Sequence, residues 1–181
     1  MECGSLRKTT GYSATQIILH WACAALMIYL FVGHDGMQAA WSAMQKGNPA
    51  AGGSFAALAH AWGGTVVLVL ALWLLGLRFS RGVPDLPDGE PPLLRFLAGL
   101  THATLYGLMI VLPVTGIATW FGGVEFTTAI HDALKLPLLA FFLLHVLGAL
   151  YQHFWLRTCV LVQMLRPVSA PGDMAIQEND H

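Results

Sequence analysis

The sequence predicts an all-α fold built as a bundle of four transmembrane helices. Of its 181 residues, 56% are hydrophobic and only 10% are charged, whereas charged residues make up about a quarter of a soluble domain. The chain also contains four long apolar stretches, each with around 20 residues or more, which is enough to cross a bilayer as a helix. Because lipid offers no hydrogen-bond partner to the backbone, these stretches must form helices that pack together.

The four spans are predicted at about residues 13–32, 54–77, 93–120 and 129–157. The connector 33–53 is the longest, and Trp41 and Phe55 are expected to anchor this part of the chain at the membrane interface. The Pro- and Gly-rich connector 81–92 is expected to be a loop with turns. The chain therefore divides into an N-terminal tail (1–12), a membrane domain (13–157) and a polar C-terminal tail (158–181).

The basic residues predict the orientation of the bundle. Only Lys46 and Lys135 belong to the side that carries the connector 33–53. Seven belong to the other side: Arg7, Lys8, Arg78, Arg81, Arg95, Arg157 and Arg166. Because cytoplasmic loops are enriched in Lys and Arg, both termini are expected to be cytoplasmic. The totals of 9 basic and 10 acidic residues argue against a nucleic-acid partner.

Histidines are unusually frequent in the spans. A lone histidine in a membrane helix is explained by a hydrogen bond to a backbone carbonyl, but several with almost no carboxylate to pair with favour a functional role. Neutral imidazole is a usual axial ligand of haem iron. His34, in a connector, and His181, at the chain end, are expected to have no such role. Six histidines remain: His20, His60, His102, His131, His145 and His153.

The fourth span contains His131 and His145, which are 14 residues apart. This separation corresponds to about 1400° of rotation, within about 40° of four whole turns, so both rings leave the same face of the helix. They are separated by about 21 Å along the axis, which suits one iron porphyrin near each side of a hydrocarbon core about 30 Å thick. One helix could thus supply one ligand to each of two haems.

The depth of each histidine in its span gives a partial pairing. His60 and His131 lie towards the predicted periplasmic side, and His20 and His145 lie towards the cytoplasmic side. His102 has a depth similar to that of His20, so depth alone leaves a pairing of His20 with His102 open. The common face of His131 and His145 favours His145 as the partner of His20, and His153 points about 80° away from His145.

Several glycines lie inside the predicted spans. Small residues allow helices to approach each other closely, and this explains most of these positions. Clearance for a flat macrocycle is the alternative interpretation. The glycines are Gly63, Gly64, Gly107, Gly116 and Gly148, and Pro113 and Pro137 are expected to kink spans three and four.

Four ordered motifs carry a resemblance to a known family. They are YSATQIILHW at 12–21, AHAWGG at 59–64, THATLYGLMIVLPVTG at 101–116 and IHDALKLPLLAFFLLHVLGALYQHFW at 130–155, followed by ML-R-P at 164–167. With them the chain resembles the bacterial cytochrome b-561 family, which is related to the cytochrome b subunits of nickel-iron hydrogenases and formate dehydrogenases. The resemblance implies a multi-pass protein of the bacterial inner membrane that holds two haem b groups. The ligands implied by the motifs are His20, His60, His131 and His145.

The resemblance also implies a function in respiratory electron transport. Members of the family that the chain resembles oxidise superoxide and reduce ubiquinone. The expected activity is therefore transfer of single electrons between a periplasmic donor, such as superoxide or a redox partner protein, and the quinone pool. His102 and Tyr106, one turn apart, could bind a quinone carbonyl, although a hydrogen bond between helices explains them equally well. Arg7, Lys8 and Arg157 could pair with the propionates of the inner haem.

Two other classes of function are weighed against this one. The chain could be the membrane anchor and electron-relay subunit of a larger hydrogenase or dehydrogenase complex. It could instead be a transporter or a metal-handling protein whose histidines bind zinc or copper. The second class predicts carboxylate or thiolate ligands at the depth of the histidines, and the spans contain almost none.

Overall fold

The computed structural model describes residues 11–82 and 91–167, which are helical apart from short turns. The helices are α1 (Ala14–Val32), α2 (His34–Gln45), α3 (Phe55–Arg81), α4 (Pro92–Trp120), α5 (Phe126–Phe154) and α6 (Val160–Gln163). Of these, α1, α3, α4 and α5 are long and apolar enough to cross a membrane. The prediction of an all-α fold with four spanning helices is therefore confirmed.

The helix starts follow from local sequence signals. Ser13 caps α1 in a capping box with Gln16: the Ser13 hydroxyl accepts from the Gln16 backbone N–H, and the Gln16 side chain accepts from the Ser13 backbone N–H. Ser54 caps α3 by accepting from the backbone N–H of Ala57. Pro92 occupies the first position of α4, where its missing N–H has no cost.

Two spans differ from their predicted ends. α3 continues four residues beyond the predicted Leu77, to Arg81, and stops at Gly82, whose φ of +76° is easily adopted only by glycine. α5 begins at Phe126 and ends at Phe154, three residues earlier than predicted at each end. The apolar pattern marks the part of a helix that contacts lipid, and α3 at its end and α5 at its start extend beyond it, whereas α5 stops before its last apolar residues.

The connector 33–53 contains structure that the sequence did not predict. Gly33 ends α1, α2 follows at once, and a short 3-10 helix spans Pro49–Gly53. α2 was missed because it is short and mixes polar residues with apolar ones, so it does not resemble a span. Trp41 of α2 lies against Trp120 at the end of α4, with ring centroids 6.0 Å apart.

The spanning helices pack in the order α1, α3, α4, α5. Their shared core is formed by small and medium-sized apolar side chains: Leu19, Cys23, Met27, Val67, Ala71, Leu74, Leu105, Met109 and Leu138. Among the described residues, the backbones of α1 and α5 do not approach closely. The rings of His20 on α1 and His145 on α5 meet across this α1–α5 seam.

The segment after α5 folds back onto the start of the bundle. The indole N–H of Trp21 donates a hydrogen bond of 2.8 Å to the backbone carbonyl of Met164, and α6 packs against α5. Residues 158–167 thus contact the membrane domain, whereas the rest of the predicted C-terminal tail, Arg7, Lys8 and most of the predicted loop 81–92 lie outside the described residues. The domain limits and the orientation stay predictions.

Candidate functional site

The first pair of predicted ligands lies near the end of the bundle that carries α2. The rings of His60 on α3 and His131 on α5 are 6.4 Å apart between centroids and nearly perpendicular, at 69°. Nδ1 of His131 is 2.9 Å from the backbone carbonyl of Leu112 and 3.4 Å from the hydroxyl of Thr115. Because a carbonyl only accepts, Nδ1 carries the hydrogen and Nε2 keeps a free lone pair, as in histidines that bind metals.

Gly116 supplies the space that the His131 ring occupies. A Cβ atom at this position would lie 3.0 Å from Cε1 of His131 and 3.2 Å from its Nδ1. Gly63 instead serves helix packing, since its Cβ would lie 2.9 Å from Cδ2 of Leu30. Gly64, Gly107 and Gly148 have no such neighbour within 4 Å. One of the five glycines therefore bears directly on a predicted ligand.

A cavity of about 530 Å³ adjoins the His60–His131 pair, within the usual range of about 300–1000 Å³ for cofactor and ligand pockets. Most of its wall is apolar and includes Met27, Val67 and Met109. Nδ1 of His60 is buried and has no hydrogen-bond partner among the described residues. An unsatisfied buried nitrogen is costly, so a group bound in the cavity would remove a penalty that the protein alone leaves.

One wall of this cavity is polar, and sequence reasoning missed it. His34 is the first residue of α2, so its prediction as a loop residue is wrong. Its ring lies 6.2 Å from that of His60, and its Nε2 lies 3.2 Å from Nζ of Lys135. Lys135 also forms an ion pair of 2.8 Å with Asp132. The sequence did contain one signal for this polar wall: Lys135 is a lysine inside an apolar span, one turn after the candidate ligand His131.

The second pair lies nearer the opposite end of the bundle and bridges the α1–α5 seam. The rings of His20 and His145 are 6.0 Å apart between centroids, with an angle of 62°. A third ring, that of His102 on α4, is 5.0 Å from the His145 ring, and its Nδ1 is 2.7 Å from the Ala98 carbonyl of its own helix. The inner position is therefore a group of three imidazoles.

The ring spacing tests whether these residues fit a haem. With metal–nitrogen distances of about 2 Å to each imidazole, an iron between two rings separates their centroids by about 6 Å. The pairs His60–His131 and His20–His145 have this spacing, and so does the pair His34–His60 at 6.2 Å, whereas the rings of His102 and His145 are closer together. Both predicted pairs thus fit the donor set of a bis-imidazole haem.

The other candidate residues are placed as follows. Tyr106 is half-buried beside the bundle core, and Arg78 lies within electrostatic range of Tyr106, His102 and Tyr12. Burial raises the pKa of the Tyr12 phenol, just before α1, and the Arg78 guanidinium opposes that change. The ring of His153 contacts that of Phe154 rather than another histidine.

The residues described give no support to a zinc or copper site. Within residues 11–82 and 91–167, no group of three or more His, Cys, Asp or Glu side chains is arranged to hold a metal ion. A structural zinc site needs four such ligands and a catalytic one needs three. The donor chemistry of the bundle is that of paired imidazoles.

Comparison with known proteins identifies a family of membrane cytochromes. Residues 11–167 match the model of the family described as prokaryotic cytochrome b561. Cytochrome b562 of Cereibacter sphaeroides is 33% identical over 163 residues, which cover 90% of this chain and 99% of that protein. The probable superoxide oxidase CybB of Yersinia pestis is 27% identical over 177 residues, covering 85% of this chain and 95% of that protein.

These matches confirm the resemblance on which the sequence interpretation relied. The family implies haem b as the cofactor, and four apolar helices agree with a multi-pass protein of the bacterial inner membrane. The chain belongs to the prokaryotic cytochrome b561 family and is a membrane cytochrome b of electron transport.

Proposed function

We propose that this protein transfers single electrons between a periplasmic donor and the quinone pool through two haem b groups. The observation that carries the proposal is that two imidazole pairs lie at two depths and share α5, through His131 and His145. A single haem would leave one pair without a purpose. When bound, the haems supply the one-electron chemistry.

The protein residues hold and orient these groups. His60 and His131 would bind the outer haem, and His20 and His145 the inner one. The Leu112 carbonyl fixes the tautomer of His131, which leaves the lone pair of Nε2 free and would let it bind iron. With two protein ligands on each iron, no coordination position is left open, which favours electron transfer over oxygen binding.

The inner end offers groups for a quinone. If Nδ1 of His102 donates to the Ala98 carbonyl, the neutral ring has only an acceptor left at Nε2. The Tyr106 hydroxyl would then donate to a quinone carbonyl, and His102 would accept from the hydroxyl of the reduced form. Both residues lie on one face of α4, a turn apart.

Superoxide is the proposed donor because one relative is named as a probable superoxide oxidase. The balance requires two superoxide anions, each of which loses one electron and leaves as dioxygen. The two electrons and two protons convert one ubiquinone to ubiquinol. A redox partner protein is the alternative donor, and co-purifying iron–sulfur or catalytic subunits would indicate a relay role in a larger complex.

A reduced-minus-oxidised spectrum of the purified protein tests the proposal. We expect a b-type alpha band, two haems per chain and low-spin iron without added ligand. Superoxide generated in the assay should reduce the haems and then ubiquinone. A colourless protein, obtained with ample haem supply and intact folding, would refute the proposal.

Single substitutions test the pairing. His20→Ala or His145→Ala should remove the inner haem, and His60→Ala or His131→Ala the outer one, so each variant retains one haem. His102→Ala should retain two haems but slow ubiquinone reduction, and His153→Ala serves as the control for loss of a membrane histidine. Loss of a haem in His102→Ala but not in His145→Ala would show that the inner pairing is wrong.

A further inference from the structure

Lys135 is an unusual residue for its position. It lies well inside the apolar helix α5, one turn after His131, and its side chain is 23% exposed. It lines the same cavity as His60 and His131. A cation inside a membrane helix is costly and by default a functional candidate, and the function proposed above gives Lys135 no task.

The contacts of Lys135 leave hydrogen-bond donors available. Its ammonium group bonds to Asp132 at 2.8 Å and to Nε2 of His34 at 3.2 Å. An ammonium group has three donors and no acceptor, so His34 accepts at Nε2 and carries its hydrogen at Nδ1. Among the described residues, the third ammonium N–H and the Nδ1–H of His34 have no hydrogen-bond acceptor.

The cavity as a whole favours a ligand that is apolar with one anionic edge. Its walls are mostly apolar, and Lys135 is the only lysine or arginine among the described residues that line it. Four of its polar residues, His34, Gln38, Asp132 and Lys135, come from α2 and α5, and the others include His60, His131, Thr119 and Thr128. An anionic group bound there would meet one cation and several N–H donors.

We infer that Lys135 and His34 bind a propionate carboxylate of the haem held between His60 and His131. The inference rests on the outer haem of the proposed function and assigns the residues that orient it. A carboxylate buried near lipid needs a charged or hydrogen-bonding partner, and charge-assisted N–H···O⁻ bonds are the stronger kind. Lys135 and His34 are thus positioning residues, and Asp132, which shares the ammonium group, limits the net charge at the site.

The alternative is a purely structural role, in which Lys135 fastens α2 to α5 through His34. The two roles differ in what they do to the haem. In a purely structural role, loss of the nearby Lys135 charge would still lower the potential through space, but the propionate vibration would stay unchanged as long as the bundle is folded. A propionate anchor sets the vibration of the carboxylate and the potential of one haem only.

Lys135→Met removes the charge while keeping a similar length, and it should lower the midpoint potential of the outer haem. Without the cation, the propionate charge is no longer neutralised, and this favours the more positive, oxidised iron. The propionate bending band in the resonance Raman spectrum should move to lower frequency. Lys135→Arg should retain most of both properties, and the inner haem should be unaffected.

Lys46→Met is the matched control, since Lys46 ends α2 and does not line the cavity. The inference would be overturned if the outer haem of Lys135→Met had the same propionate band as the outer haem of Lys46→Met, whether or not its midpoint potential was also the same. If Lys135→Met binds neither the outer nor the inner haem, the fold is lost. The propionate bending band of His34→Ala then tests the inference instead. A wild-type protein without an outer haem would refute the proposed function itself, which is a separate result.

Discussion

At the residue scale, the outer pair is defined by how tightly one imidazole is held. The His131 ring is held by the Leu112 carbonyl and the Thr115 hydroxyl, and Gly116 on the same helix has no side chain to occupy the space of the ring. His60 opposite has a buried Nδ1 without a partner among the described residues. The site thus combines His131, whose ring is already held in position, with His60, whose buried nitrogen has no partner until a group binds.

Gly116→Ala should weaken binding of the outer haem. The added Cβ would meet Cε1 of His131 at 3.0 Å, so the ring must turn away from its position. Overpacking of this kind costs about 1–3 kcal/mol, which corresponds to about a 5- to 150-fold loss of affinity. The measurement is the haem-to-protein ratio, with the inner haem as the internal reference.

Gly107→Ala is the control on the same helix, since a Cβ there meets nothing within 4 Å. It should retain two haems, and the change to alanine favours the helix. Equal haem content in both variants would show that Gly116 is needed only for its backbone. A loss of haem in Gly116→Ala but not in Gly107→Ala would show that Gly116 is needed to make room for the His131 imidazole.

The sequence predicted these residues unevenly, for physical reasons. The four candidate ligands were identified because an imidazole is rare and costly inside a membrane helix. The meeting of His34 with Lys135 could not be predicted, because it depends on how α2 folds back across the bundle. In the sequence, Gly116 is one of five similar glycines inside the spans. Only the position of the His131 ring in the structure shows that this glycine, and not the others, lies against a candidate ligand.

At the element scale, two short helices add contacts that the apolar pattern does not reveal. α2 supplies His34 and Trp41 to the wall of the cavity. α6 follows α5 and brings Met164 within hydrogen-bond distance of Trp21, next to the candidate ligand His20. α6 has too few residues to show a period, and α2 is too short and too polar to resemble a span, so the spans were predictable and these two helices were not.

Trp21→Phe tests the contact between the segment 158–167 and α1. The ring remains but its N–H is lost, and a hydrogen bond is worth about 0.5–1.5 kcal/mol net. We therefore expect amide hydrogen exchange in residues 158–167 to rise by about two- to tenfold. Haem content should stay at the wild-type ratio.

Trp73→Phe makes the same change at an exposed indole on α3 and should leave exchange in residues 158–167 unaltered. If Trp21→Phe behaves like this control, the bond to Met164 contributes nothing to the position of the segment. Faster exchange throughout the bundle would instead indicate a general loss of stability.

At the scale of the whole molecule, the bundle is closed on three sides and bridged by side chains on the fourth. α1, α3, α4 and α5 pack in sequence, and the His20–His145 pair crosses the α1–α5 seam. The bond between His34 and Lys135 joins α2 to α5, and the cavity beside His60 and His131 is lined by residues of both α1 and α5. Both proposed haem sites therefore border the same seam. Lys135 lies inside α5, as its place in the predicted fourth span implies, and its ammonium group is bound to Asp132 and His34. The side that carries α2 therefore has only Lys46 as a basic surface residue among those described.

Because Lys135 is bound inside the bundle, the difference in surface charge between the two ends, on which the predicted orientation depends, is larger than the residue count alone gives. A green fluorescent protein fused after His181 should fluoresce, and alkaline phosphatase at the same position should be inactive. Phosphatase inserted after Lys46, in the turn where Gly47 has a φ of +88°, should be active. The opposite pattern would place the termini in the periplasm and exchange the inner and outer assignments of the two pairs.

Because α5 contributes a ligand to each pair, the number of residues between His131 and His145 is constrained in a way that their identity is not. One inserted residue would rotate His145 by about 100° relative to His131 and carry it away from His20. Side chains in this stretch can be exchanged freely where they face lipid, whereas a change of length would separate the two halves of an electron path.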